Sequence, residues 1–116
     1  MDDCIFCRIV RGEIPSPRVY EDDDLIAIHD IHPAAPVHVL IVPKRHFRDL
    51  MDLGSDPEGP AVAAAVARAL PLVAKAAGLS GRGFRLLSNC GAEAGQTVMH
   101  LHYHLLGGRP LGEKLL

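Results

Sequence analysis

His100-Leu101-His102-Tyr103-His104-Leu105-Leu106 sets three histidines in alternation with apolar side chains. Period two is strand spacing, so residues 98–106 are predicted to form a strand with the three imidazoles on one face and Leu101, Tyr103 and Leu105 on the other. At a rise of about 3.3 Å per residue, neighbouring imidazoles on that face stand roughly 6.6 Å apart at their Cα atoms. Loops rich in small residues flank the stretch: Gly91-Ala92-Glu93-Ala94-Gly95-Gln96-Thr97 before it and Gly107-Gly108 after it. Such a face has three possible uses. It is a partly exposed strand whose histidines are satisfied by neighbours, or a pair of nitrogens for a metal ion, or a nucleophile with its supporting groups. The upstream loop can offer backbone N–H groups to a phosphate, which favours the nucleophile.

Four more strands precede this one. Residues 18–21 and 25–29 read as short strands around the turn Asp22-Asp23-Asp24. Residues 37–42 are apolar and β-branched apart from His38, with Pro33, Pro36 and Pro43 as punctuation, and residues 84–88 form a fourth strand. Short links favour antiparallel pairing. Two helices complete the pattern. Ile5, Phe6, Ile9, Val10 and Ile14 suit a short amphipathic helix over residues 4–10 that ends at Gly12, before Pro15 and Pro17 force extended backbone. A long helix spans residues 57–78, with Asp56 as its cap, Pro57 in its first turn and Val62, Val66, Leu70 and Val73 as its apolar stripe. Pro71 removes one helical hydrogen bond at a cost of about 3 kcal/mol, so a kink is expected over residues 67–70. The fold class is α+β.

With 116 residues the chain forms one domain, residues 1–116, large enough for a core without staples. Apolar residues make up 48% of it and aromatic ones 4%, with no tryptophan, so packing rests on Val, Leu, Ile and Ala. A net charge of −2 argues against non-specific nucleic-acid binding. The acidic start Met1-Asp2-Asp3 is unlike a secretory leader, and Arg68, Pro71 and Lys75 interrupt the apolar run over residues 61–79, which argues against a membrane span. The cytoplasm is the expected compartment. Three cysteines do not make a disulfide framework. In a reducing compartment Cys4-Ile5-Phe6-Cys7 is half of a zinc site, a redox pair, or two small buried residues; a zinc site would need histidines as its other ligands.

Taken in order, Cys4-Ile5-Phe6-Cys7, Gly12-Glu13-Ile14-Pro15, Glu21-Asp22, His29-Asp30-Ile31, Pro36-x-His38, Val42-Pro43-Lys44-x-His46, Gly95-Gln96-Thr97-Val98, the triad and Gly107-Gly108-Arg109 form a specific set. Over residues 4–109 it resembles the histidine triad (HIT) superfamily, and within it the Hint branch of purine nucleoside phosphoramidases. The resemblance implies a HIT-like fold with a sheet of about five antiparallel strands, one long helix and a short N-terminal helix. It implies a homodimer joined through the long helix and a neighbouring strand.

The resemblance also implies a purine nucleotide substrate, AMP-like, with its base against Ile5, Phe6, Ile9 and Ile14. Asp30 would accept the ribose hydroxyls, flanked by His29 and Ile31. The phosphate would sit beside Gly95 and take hydrogen bonds from Asn89, the Gln96 side chain, the Thr97 hydroxyl, the N–H groups of Thr97 and Val98, and His104. His102 would attack phosphorus, with His100, His104 and His38 in support, and a nucleotidyl-histidine would then be hydrolysed without a catalytic metal. A structural zinc would sit on Cys4, Cys7, His46 and His100. Two departures bear on substrate preference: Thr97 stands where many relatives have serine, and Pro110-Leu111-Gly112-Glu113-Lys114-Leu115-Leu116 lacks the tryptophan-containing tail of the Hint branch. Hydrolysis of dinucleoside polyphosphates and nucleotide binding without turnover are the alternative functions.

Overall fold

The structure, a computed structural model, describes residues 3–116; Met1 and Asp2, the first two residues of the acidic start, lie outside the described residues. Five strands form one antiparallel sheet: β1 (Arg18–Glu21), β2 (Leu25–His29), β3 (Val37–Pro43), β4 (Arg85–Leu87) and β5 (Tyr103–Gly107). Their spatial order is β1-β2-β3-β5-β4, so β1 and β4 are the edges. Among the described residues three α-helices accompany them: α1 (Ile5–Val10), α2 (Leu50–Ser55) and α3 (Gly59–Ala76).

Strand alternation sorts the core into two layers. Leu25, Ala27, Val39, Ile41 and Leu105 pack against Val66, Ala69, Val73 and Ala74 of α3. The opposite parity, Ile26, Ile28, Leu40 and Val42, packs against Phe6 and Ile9 of α1. Each large side chain buried this way contributes about 1.5–3 kcal/mol. The sheet is therefore covered on both faces, and its central strands are apolar at nearly every position. His38 shares its parity with Leu40 and Val42, which aims it to the α1 side, and Leu40 pairs with His104 of β5. Length and composition alone would let α3 cross a membrane. Its buried residues against the sheet mark it as a core helix.

Two element starts differ from the sequence reading, and one helix is added to it. The strand expected over residues 98–106 starts only at Tyr103. Leu101 N–H donates to Phe47 C=O (2.7 Å) instead of to a strand, and its side chain joins Phe47 and Leu53 in a separate cluster. Of the triad only His104 lies in the sheet. The long helix starts at Gly59, not at residue 57, with Pro60 in its first turn. Asp56 instead ends α2, a helix absent from the sequence reading, and its carboxylate accepts from Glu58 N–H (2.8 Å). α3 runs from Gly59 to Ala76 with Pro71 inside it. Pro71 sits on the exposed side, where water can serve the carbonyl it leaves without a partner.

Two glycines are required by close approach. A Cβ on Gly59 would stand 1.7 Å from the Leu53 carbonyl oxygen, where α2 meets α3. Gly108 follows β5 at φ +91°, and a Cβ there would lie 2.9 Å from the Pro36 Cβ. Gly54 in α2 has nothing within 4 Å of its Cβ position. Gly59→Ala should therefore lower the urea midpoint by forcing the helices apart. Gly54→Ala should raise stability by about 0.4–1 kcal/mol through the unfolded chain. Denaturant melts of both variants check the opposite signs.

Candidate active site and metal centre

The irregular backbone before β5 divides the three histidines between two sites. His100 is fully buried and turns inward. Its Nε2–H donates to the Pro43 carbonyl (2.8 Å), and its Nδ1 faces Cys4, Cys7 and His46. Its own carbonyl lies 2.7 Å from His102 Nδ1. A carbonyl can only accept, so His102 carries its proton on Nδ1 and leaves Nε2 as a free lone pair. His102 stands edge-on to Phe6, with ring centroids 4.9 Å apart, and 5.2 Å from the His104 ring. His104 Nδ1 lies 2.9 Å from His38 Nε2. Burial pushes the pKa of both His38 and His104 below the ordinary histidine value, against the opposing pull of Asp30.

A cleft of about 530 Å³ opens over His102 and His104. Its walls include Ile5, Phe6, Ile9 and Ile14 on the α1 side, His29, Asp30 and Ile31 after β2, and Thr97 and Val98 before the triad. Ile31 is 86% exposed and Ile5 47%, leaving apolar surface in water at the cleft. The walls also include Pro15, Ser16, Ile28, His32 and Leu40, to which the sequence reading gave no part in the site. Strand parity carried a signal for Leu40, which shares a face with His38.

The loop residues divide. Gln96 is buried, and both hydrogens of its amide are engaged, by the carbonyls of Arg48 (2.8 Å) and Val98 (3.0 Å); its Oε1 accepts from Gly91 N–H (2.8 Å). It holds the loop's shape and has no hydrogen left for a phosphate, which corrects the expectation of a side-chain donor there. Gly95 caps the short 3-10 turn Ala92–Ala94. Neither Gly95 nor the half-buried Asn89 lines the cleft.

The second site is the group Cys4, Cys7, His46 and His100, whose ligand atoms all lie within 4.8 Å of one another. The Nδ1 atoms of His46 and His100 are 3.1 Å apart, and Cys7 Sγ is 3.3 Å from His46 Nδ1. Cys4 Sγ lies 3.4 Å from His100 Nδ1. Tetrahedral zinc with ordinary Zn–S and Zn–N bonds has N–N edges of about 3.3 Å and S–N edges of about 3.6 Å. The donor set and its spacing fit such an ion, and the bond from His100 to Pro43 fixes the ring that would face it. Cys4 also caps α1, its sulfur accepting from Cys7 N–H (3.3 Å). Burial, with the neighbouring Cys4, pushes the Cys7 thiol up to about 11, and burial pushes His100 down to about 4.

Comparison with known proteins returns one family. The model of the HIT domain matches residues 11–111. A purine nucleoside phosphoramidase of Escherichia coli K12 is 42% identical over 117 residues, covering 98% of this chain and 94% of that protein. A HIT family hydrolase from Clostridium thermocellum superposes with a TM-score of 0.92 at 46% identity, covering 100% of this chain and 99% of that one. A histidine triad protein from Clostridium difficile gives 0.90 at 43%, covering 98% and 97%.

Chelator-treated protein should take up one equivalent of zinc. Free zinc a hundredfold above its Kd should stabilise the fold by about 2.7 kcal/mol. A thiol held at about 11 is protonated at neutral pH, so a metal must displace that proton. Affinity should then rise with pH. Calorimetry in buffers of different ionisation heat reads the release directly, and Cys7→Ser should abolish uptake.

Proposed function

This chain belongs to the HIT domain family, and from that membership we propose that it is a hydrolase of purine nucleoside 5′-phosphoramidates that works through a nucleotidyl-histidine. One observation carries the reading: the bond from His102 Nδ1 to the His100 carbonyl leaves Nε2 unprotonated beside a cleft of nucleotide size.

The base lies against Ile5, Phe6, Ile9 and Ile14, with His29 and Ile31 at its edge and that of the sugar. Asp30 accepts from the ribose hydroxyls, since a carboxylate offers two acceptor oxygens to a vicinal diol. Phosphoryl oxygens meet the Thr97 hydroxyl, the N–H groups of Thr97 and Val98, and His104; Asn89 stands further back in this arrangement. His102 Nε2 then forms a bond to phosphorus as the phosphorus–nitrogen bond to the leaving amine breaks, and the amine takes up a proton from solvent. Water next attacks phosphorus and gives a proton to solvent, as the bond to His102 breaks, returns its electron pair to Nε2 and releases the nucleoside monophosphate. Fixed donors stabilise charge on the phosphoryl oxygens throughout. Zinc, when bound, supplies a rigid anchor for His100; no step passes through it.

In this reading the protein is cytoplasmic, where Cys4 and Cys7 stay reduced, and it is a homodimer. The support for a dimer is apolar surface left in water, at Leu72 on α3, 52% exposed, and at Phe84 just before the edge strand β4, 38% exposed.

Two measurements test this. His102→Ala should lower kcat on adenosine 5′-phosphoramidate at least about 10³-fold, as loss of a nucleophile does, with AMP binding retained; equal rates would remove His102 from the chemistry. Leu72→Asp should convert a dimer to monomers in sedimentation velocity, and an unchanged sedimentation coefficient would place any interface elsewhere.

A further inference from the structure

His38 lies between two groups whose roles are unequal. On one side Ala34 N–H donates to its Nδ1 (3.0 Å). A backbone N–H can only donate, so Nδ1 holds the lone pair and the neutral ring carries its proton on Nε2. That Nε2–H meets His104 Nδ1 at 2.9 Å, which must then accept. The proton of His104 is thereby placed on its own Nε2, the nitrogen away from His38 on a ring that lines the cleft. Two tautomers follow from one backbone N–H.

Asp30 organises the turn that delivers that N–H. Its own N–H donates to the His38 carbonyl (3.0 Å), and its Oδ1 accepts from His32 N–H (2.7 Å). Its Oδ2 stands 3.4 Å from His38 Nε2, farther than the bond to His104. Asp30, His38 and His104 also have the spacing of a metal triad. A cation on His38 Nε2 would require the proton on Nδ1, where it would face the Ala34 N–H head-on. The arrangement is built for hydrogen bonds.

We propose that Asp30 is a positioning residue for His104: it folds the turn over residues 30–34 that fixes the tautomers of His38 and His104, and it ties that arrangement to an occupied sugar site. The second half rests on the function proposed above, in which Asp30 accepts from the ribose. With hydroxyls bound, Oδ2 is drawn away from His38, whose Nε2–H is then committed to His104. Without them that N–H is shared between two acceptors. The diol thus acts on kcat through His104 as well as on KM through its own contacts.

Asp30→Asn is the variant to make, because an amide oxygen keeps the bond to His32 N–H while its NH₂ opposes His38 Nε2–H. In substrate-free protein, ¹⁵N NMR of the imidazoles should show His104 as the Nε2–H tautomer in the wild type and as a mixture in the variant. The same tautomer in both would overturn the proposal, and this arm needs no substrate. The kinetic arm compares adenosine 5′-phosphoramidate with its 2′,3′-dideoxy analogue. On the dideoxy compound Asp30→Asn should still lower kcat about tenfold, the effect of one orienting hydrogen bond. No kcat loss there would reduce Asp30 to a sugar acceptor and overturn the coupling. If the wild type turns over neither compound, the proposed function fails, while the spectra still decide whether Asp30 positions His104.

Discussion

The hydrogen bond between His102 Nδ1 and the carbonyl of His100 is the contact on which the site depends. It settles which nitrogen of His102 is free. The carbonyl can do this only if it is immobile, and residue 100 is held from three directions. Its ring donates to Pro43 at the end of β3, its Nδ1 faces the two cysteines and His46, and the next residue bonds to Phe47. A free imidazole exchanges tautomers; this one is held by the packing of a neighbour that lines no part of the cleft.

That dependence explains why the two sites share so few residues and yet lie close together. α1 presents Phe6 and Ile9 to the cleft and Cys7 to the cysteine–histidine group. Histidines 100 and 102 divide in the same way across a single residue. A regular strand would have put both imidazoles on one face. The turn of the backbone at residues 98–102 sends one inward and leaves the other at the cleft.

Much of this was legible in the residues themselves. β1 and β2 were marked by short runs of strand formers around an aspartate turn; that α1 and the segment after β2 would face a ligand came from the family resemblance alone. The start of β5 was not legible, because histidine and apolar residues keep alternating where the chain has left the sheet. Nothing local reveals that Leu101 pairs with Phe47. α2 is six residues long and contains a glycine, too short for a periodic pattern. Asp56 and Pro57 looked like a helix start because capping aspartates serve at either end of such junctions. Gln96 read as a phosphate donor until its partner came into view: the Arg48 carbonyl, 48 residues earlier in the chain.

The glycine after β5 has a consequence for how chains of this kind vary. Gly108 combines a left-handed backbone with the near touch of Pro36 and Val37 at the start of β3, the strand that carries His38. A side chain there would push β5 away from β3 and so separate His104 from His38 without altering either. In a library of random variants, position 108 would therefore score as an active-site position although its residue has no functional group. Its intolerance would measure the distance between two neighbouring strands.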